Sequence, residues 1–260
     1  MYSPIADALT APPAGLDPSY FTRQDLDAYS AEDHEVWSIL FSRRMAELVD
    51  TGSEAFLSGA EVIGLDASRV PDLEDVNRRL GEKTGWAAIP VTGFIEARQF
   101  FACLAERRFP TTITVRPKSQ LEYLQEPDIF HDVFGHVPLH ANPVFADFLQ
   151  TFGAVAAQAE HPADIEAMAR LFWFTVEFGL VAERGATRIY GSGLISSVGD
   201  AANALGPDCD RRPFTLDAVI AQPFEIDRLQ DVLFVVDDFA HLFDACEEAE
   251  RRLREGRLTA

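Results

Sequence analysis

The sequence predicts a mainly α fold: one helix-rich domain with a few short β-strands. Three observations predict it. Apolar residues recur at helical spacing through several long segments. β-branched clusters are few, and Thr111, Thr112, Ile113, Thr114 and Val115 form the clearest one. The composition, 47% hydrophobic and 25% charged over 260 residues, is that of a folded chain. A chain of this length buries about 70–75% of its unfolded surface, enough for a full core. No repeat and no Gly/Ser linker divides it.

The elements follow in order. Residues 1–19 contain Pro4, Pro12, Pro13, Gly15 and Pro18. Proline removes backbone donors and restricts its neighbour, so this stretch reads as an extended arm ahead of one domain at 20–260. Ser30 followed by Asp33 is a relative of the capping box, and Val36, Trp37, Leu40, Phe41, Met45 and Leu48 continue at helical spacing to Gly52. A second helix fits Leu73 to Leu80, stopped by Gly81. Trp86 to Val91 reads as a short extended stretch, and Ile95 to Arg107 as a helix. The Thr111–Val115 strand delivers Arg116 and stops at Pro117. Leu121 to Phe134 is mixed acidic and apolar, ended by Gly135 and Pro138. Pro143 to Gln158 and Ile165 to Leu180 read as helices. Arg188 to Tyr190 is short and extended, Gly191 to Gly199 is a Gly/Ser loop, and Asp217 to Phe224 is a helix. Leu229 to Val236 fits helix or strand. Phe239 to Arg254 closes the chain as a helix.

Charge narrows the partners. A net charge of −20 repels phosphate backbones and anionic lipid, so neither nucleic acid nor membrane is expected as a partner. Arg251, Arg252, Arg254 and Arg257 sit among Glu247, Glu248, Glu250 and Glu255, which reads as a solvated helix face. No apolar run approaches the ~18–20 residues that span a bilayer. There is no basic start followed by an apolar core, hence no expected secretory signal. Cys103, Cys209 and Cys246 stand apart with no CxxC, so they read as free thiols of a reducing, cytoplasmic setting.

Chemistry concentrates in Glu126-Pro127-Asp128-Ile129-Phe130-His131-Asp132-Val133-Phe134-Gly135-His136-Val137-Pro138. On a regular helix five positions at about 100° each separate His131 from His136 by roughly 140°, too far to converge. Gly135 allows the helix to break and Pro138 prevents its continuation, which would swing His136 back. A helix end with incidental histidines stays open beside the metal reading. Glu177 lies in the apolar run Leu171 to Leu180. Burying an ionised carboxylate alone costs of order tens of kcal/mol before its pKa shifts, so it must be paired, protonated or metal-bound. A salt bridge to Arg184 or Arg188 is one answer, and ligation beside His131 and His136 is the other. Two neutral imidazoles and a carboxylate with open positions make the facial triad of non-haem Fe(II) oxygenases. A zinc hydrolase can use the same set, although HExxH is absent. A metal-stabilised binding protein is a third class. Arg116 can grip a carboxylate with both guanidinium edges, with Asp128 orienting it; a plain structural ion pair fits equally.

EPDIFHDVFGHVP together with Trp173-Phe174-Thr175-Val176-Glu177-Phe178-Gly179-Leu180 resembles the iron- and pterin-dependent aromatic amino acid hydroxylases, above all their single-domain bacterial members. The resemblance runs from about Trp86 to Phe239. It implies a catalytic domain of that type, Fe(II) held by His131, His136 and Glu177, a tetrahydropterin cofactor (tetrahydrobiopterin or a bacterial analogue), and O2 as co-substrate. It implies hydroxylation of L-phenylalanine to L-tyrosine, with tryptophan or tyrosine as alternative substrates. Arg116 would hold the substrate carboxylate and Asp128 would fix the arginine. Trp173, Phe178, Gly193 and Ser196 would shape the amino acid pocket. Gly93 and Ile95, in Val91-Thr92-Gly93-Phe94-Ile95, would lie against the pterin, with Phe100 stacking nearby. Asp132 stands where many members carry Glu, Phe172 where animal members usually carry Tyr, and Leu124-Gln125 where animal members carry Thr-Pro. Too few residues precede and follow the matching region for a regulatory domain or a tetramerisation helix, so a monomer is expected.

Overall fold

End signals and apolar spacing set the helices. The computed structural model describes residues 13–14, 16–122, 127–256 and 258. Leu124, Gln125 and Glu126 therefore lie outside the described residues, as do Arg257 and most of the proline-bearing arm. Helix α1 (Ala31–Thr51) starts where expected: Ser30 Oγ accepts the Asp33 amide, and Asp33 accepts the Ser30 amide at 2.8 Å. It buries Val36, Trp37, Leu40 and Leu48, and Gly52 ends it. Helix α2 (Glu54–Ile63) was not foreseen, because Gly59 interrupts a short pattern. Helix α3 (Leu73–Thr84) runs through Gly81 instead of stopping there. An interior glycine costs a helix only about 1 kcal/mol, and Gly85, at φ 77°, supplies the left-handed stop.

Strand β1 (Ala87–Val91) is buried throughout. Helix α4 (Ala97–Ala105) leads into β2 (Arg108–Thr112), which pairs in parallel with β1 from Ala87 opposite Arg108 to Val91 opposite Thr112. The expected strand at 111–115 is thus displaced. Its one partner ends at Val91, so Ile113 to Val115 have no ladder to join, and an irregular segment carries the chain to Arg116.

The histidine segment corrects the expectation of a broken helix. Phe130–His136 winds as a π-helix straight through Gly135, followed by a 3₁₀ turn at Val137–Ala141. Helices α5 (Pro143–Ala156) and α6 (Pro162–Phe172) follow. The long helix expected to Leu180 changes pitch: Trp173–Glu177 is a second π segment. Thr175 Oγ1 donates to the Leu171 carbonyl at 2.5 Å, a bond that loosens helices, and the Phe178 amide reaches five residues back to Trp173. Leu180 already belongs to β3 (Leu180–Glu183), which pairs antiparallel with β4 (Ala186–Ile189).

The expected Gly/Ser loop at 191–199 instead holds α7 (Ser192–Ser196) and the start of α8 (Val198–Leu205). One helical turn between glycines has no period to read. The chain ends in β5 (Asp210–Pro213), α9 (Leu216–Ala221), β6 (Val232–Val236) and α10 (Ala240–Arg254). Residues 229–236 thus resolve in favour of a strand. The four-stranded sheet has the order β4-β3-β6-β5.

An aromatic core joins the layers. Phe130 and Phe134 stack at 4.6 Å, and Phe41 and Phe56 meet Phe134 edge-on. This packing clamps the first π segment from behind. On the surface, Arg251 and Arg252 pair with Glu248, and Arg254 with Glu250, as the charge pattern suggested. The three cysteines are free and buried. Among the described residues no helix is long and apolar enough to cross a membrane.

Candidate active site

The π-helical winding is what brings the histidines together. An i→i+5 turn is wider than an α-turn, so residues five apart come round to one side. His131 Nε2 and His136 Nε2 lie 3.3 Å apart, with the rings nearly perpendicular. The second π segment brings Glu177 to the same point. Its Oε1 is 3.1 Å from His136 Nε2, and its Oε2 is 3.6 Å from His131 Nε2. One ligand atom from each of the three lies within 4.8 Å of the others, the one such group among the described residues. The alternative partner Arg184 is excluded by position: it pairs with Glu54 at 2.6 Å on the surface.

The donor chemistry suits a divalent metal. A neutral imidazole offers one lone pair and one N–H. His131 Nδ1 meets Ser196 Oγ at 2.9 Å, which leaves Nε2 for the shared point. His136 Nδ1 is buried and has no partner within the protein. Burial pushes the Glu177 carboxyl up, but His136, His131 and the Ser192 hydroxyl outweigh it and hold the pKa at about 2. The group is therefore ionised at neutral pH, and two imidazoles with one carboxylate fit an open-sided iron site.

The three side chains form one wall of a cavity of about 350 Å³. Gly93, Phe94, Ile95, Phe100, Asp132, Phe172, Trp173 and Phe224 line it with them. A larger groove of about 550 Å³, lined by Glu54, Lys83, Glu183, Asp237 and Asp238 among others, contains no such ligand group. Gly93, Ile95, Phe100 and Asp132, the residues expected at the pterin, thus share one cavity with His131, His136 and Glu177. Asp132 is held from β2: the Thr112 amide and hydroxyl donate to its Oδ2 at 2.7 and 2.8 Å. Burial nonetheless raises its pKa.

Comparison with known proteins decides the family. Residues 24–255 match the family described as biopterin-dependent aromatic amino acid hydroxylase. The chain belongs to the biopterin-dependent aromatic amino acid hydroxylases. Among its relatives is the phenylalanine-4-hydroxylase of Chromobacterium violaceum, 43% identical over 245 residues, 93% of this chain and 82% of that one. A solved structure of that enzyme, with iron(III) and 7,8-dihydrobiopterin bound, is similar with a TM-score of 0.87 and 39% identity, covering 98% of this chain and 93% of the other. The phenylalanine hydroxylase of Legionella pneumophila is similar at TM-score 0.84 and 36% identity, over 91% of this chain and 96% of the other.

Within this hydroxylase the expected substrate residues divide into two groups. Trp173 lines the cavity, whereas Arg116, Asp128, Phe178, Gly193 and Ser196 are outside its lining. Arg116 and Asp128 form a buried pair: Nε and Nη2 donate to the two carboxylate oxygens at 2.9 and 2.8 Å. Asp128 also accepts the amides of Arg116 and His131, which ties the pair to the first candidate ligand. Burial raises the Asp128 pKa, and the Arg116 hydrogen bonds and charge outweigh it, so the net shift is downward. Phe178 stacks on one partner, Trp173, at 4.7 Å, and Gly193 lies against Phe178.

Two residues of this hydroxylase escaped sequence reasoning. Phe224 stacks on Trp173 at 4.4 Å and 15° and lines the cavity. Its segment looked like a helix end, and no local pattern marks it. Ser192 donates to Glu177 Oε2 at 2.7 Å. It was hidden in the supposed Gly/Ser loop, and only the fold brings it beside Glu177.

Proposed function

We propose that the protein hydroxylates L-phenylalanine to L-tyrosine with O2 and a tetrahydropterin at a mononuclear Fe(II) centre held by His131, His136 and Glu177. The observation that carries the reading is the convergence of those three side chains on the wall of a cavity that also includes Gly93, Ile95, Phe100 and Asp132. The phenylalanine-4-hydroxylase relative supports the substrate. Bound together, Fe(II) and the pterin supply the electrons and the oxygen activation that ring hydroxylation needs.

The chain's own residues orient and enclose. Asp128 occupies Nε and Nη2 of Arg116, which leaves Nη1 for the substrate carboxylate. Trp173, stiffened by Phe178 on one side and Phe224 on another, offers an apolar wall to the substrate ring. Gly193 lets the α7 turn approach Phe178, and Ser196 fixes the His131 ring. Gly93, Ile95 and Phe100 present an apolar and aromatic surface to the flat pterin, with Asp132 as its polar neighbour. The histidines serve as ligands, and no acid–base role is needed from them.

Product analysis tests the reading. Protein loaded anaerobically with Fe(II) is mixed with tetrahydropterin, O2 and Phe, Tyr or Trp, with zinc-loaded protein as control. Tyrosine formed from Phe, dependent on iron, pterin and O2, is expected. Another hydroxylated product would change the substrate and keep the chemistry. No hydroxylation with iron bound in stoichiometric amount would overturn the reading.

A further inference from the structure

We infer that Ser192 is a positioning residue for the metal centre: its hydroxyl holds Glu177 Oε2 and so presents the other oxygen, Oε1, to the metal. The inference rests on the ligand set proposed above.

An ionised carboxylate only accepts, so the hydrogen between Ser192 Oγ and Glu177 Oε2, 2.7 Å apart, belongs to the serine. Ser192 is fully buried, so water does not compete for its hydroxyl. Hydrogen bonds to a charged acceptor in such surroundings are strong. A carboxylate ligates a metal through one oxygen or two. Ser192 takes up one lone pair of Oε2, whereas Oε1, 3.1 Å from His136 Nε2, keeps both of its own and is the oxygen favoured to ligate. One-oxygen ligation leaves one more position open at the metal than two-oxygen ligation, and this chemistry depends on open positions.

The serine itself is held firmly. Its carbonyl accepts the Ser196 hydroxyl at 2.8 Å, and Ser196 Oγ in turn meets His131 Nδ1. Two further carbonyls of the turn, Leu194 and Ile195, accept from the guanidinium of Arg44, at 3.1 and 2.7 Å. Arg44 is 1% exposed. On the opposite side Gly135 admits the turn: a Cβ there would stand 3.0 Å from the Ser192 carbonyl oxygen. The single turn α7 therefore reaches two of the three ligands from behind, Glu177 through Ser192 and His131 through Ser196.

The test titrates Co(II) into apo wild type, Ser192→Ala, Ser192→Thr and Glu177→Ala, following affinity, visible absorption and the apo unfolding midpoint. Loss of an outer partner of a ligand typically weakens metal binding by about 10–100-fold. Ser192→Ala is expected to weaken Co(II) binding in that range and to alter its spectrum, and Ser192→Thr to restore both. A lower unfolding midpoint with unchanged Co(II) affinity and spectrum in Ser192→Ala would make the serine merely structural and overturn the inference. Should the threonine methyl not fit beside Gly135, the alanine comparison decides alone. Wild-type Co(II) binding by Glu177→Ala would overturn the ligand set and this inference together. Loss of binding in Glu177→Ala with wild-type behaviour in Ser192→Ala would overturn the serine's role alone.

Discussion

Glu177 Oε1 stands 3.1 Å from His136 Nε2, although the two residues belong to separate π-helical segments. The meeting is the centre of the site, because each segment delivers its ligand only through its widened turn.

His131→Ala, His136→Ala and Glu177→Ala should each lose Fe(II) and turnover together. Iron content by elemental analysis, set beside tyrosine formation, checks this. Full activity in any of the three would remove that residue from the ligand set.

Arg116→Ala should weaken amino acid binding and spare the metal. A hydrogen bond to a charged group contributes about 1.5–3 kcal/mol, which corresponds to roughly a 10- to 150-fold rise in phenylalanine KM. The pterin KM and iron content should stay near wild type. An unchanged phenylalanine KM would count against the assignment.

Asp128 predicts a pH dependence of stability. Its folded pKa lies below the ordinary carboxylate value. The stabilisation is therefore complete above the unfolded pKa of about 3.9 and is lost as pH falls through the folded value. Asp128→Asn should flatten that acid limb. It also leaves Arg116 buried without its counter-charge, a change that costs about 3–5 kcal/mol. Denaturant midpoints measured from pH 7 down to 3 read both effects.

Phe100→Ala should act on the pterin side. Phe100 lines the cavity and packs edge-on against Phe109 and Phe172 at 5.7 and 5.5 Å. Aromatic contacts contribute about 0.5–1.5 kcal/mol each, so the pterin KM should rise severalfold and the phenylalanine KM far less. Steady-state kinetics with each varied in turn separates them.

Ser30→Ala is a change away from the site. It removes the cap of α1 and should cost about 1 kcal/mol of stability. Calorimetry should register the loss while kcat and KM stay put.

The helical class was legible because amphipathic spacing and end signals are local: Ser30 with Asp33, the aromatic rhythm of α5, and Gly52 each act within a few residues. His131, His136 and Glu177 were legible as candidates because an ionised carboxylate in an apolar run demands a partner wherever it lies in the chain. The family resemblance added Gly93, Ile95, Phe100 and Asp132 as candidates for the pterin side. Three other things depended on the tertiary structure. Whether residues five apart converge depended on how Phe130 and Phe134 of the π segment pack against Trp37, Phe41 and Phe56. Where β2 ends depended on the length of β1, since a strand extends only as far as its ladder. Ser192 became visible as a partner of Glu177 only once α7 had settled between Gly135 and Arg44. Periodicity reports which way a side chain faces along its own element, and a hydrogen bond between distant segments leaves no mark in either.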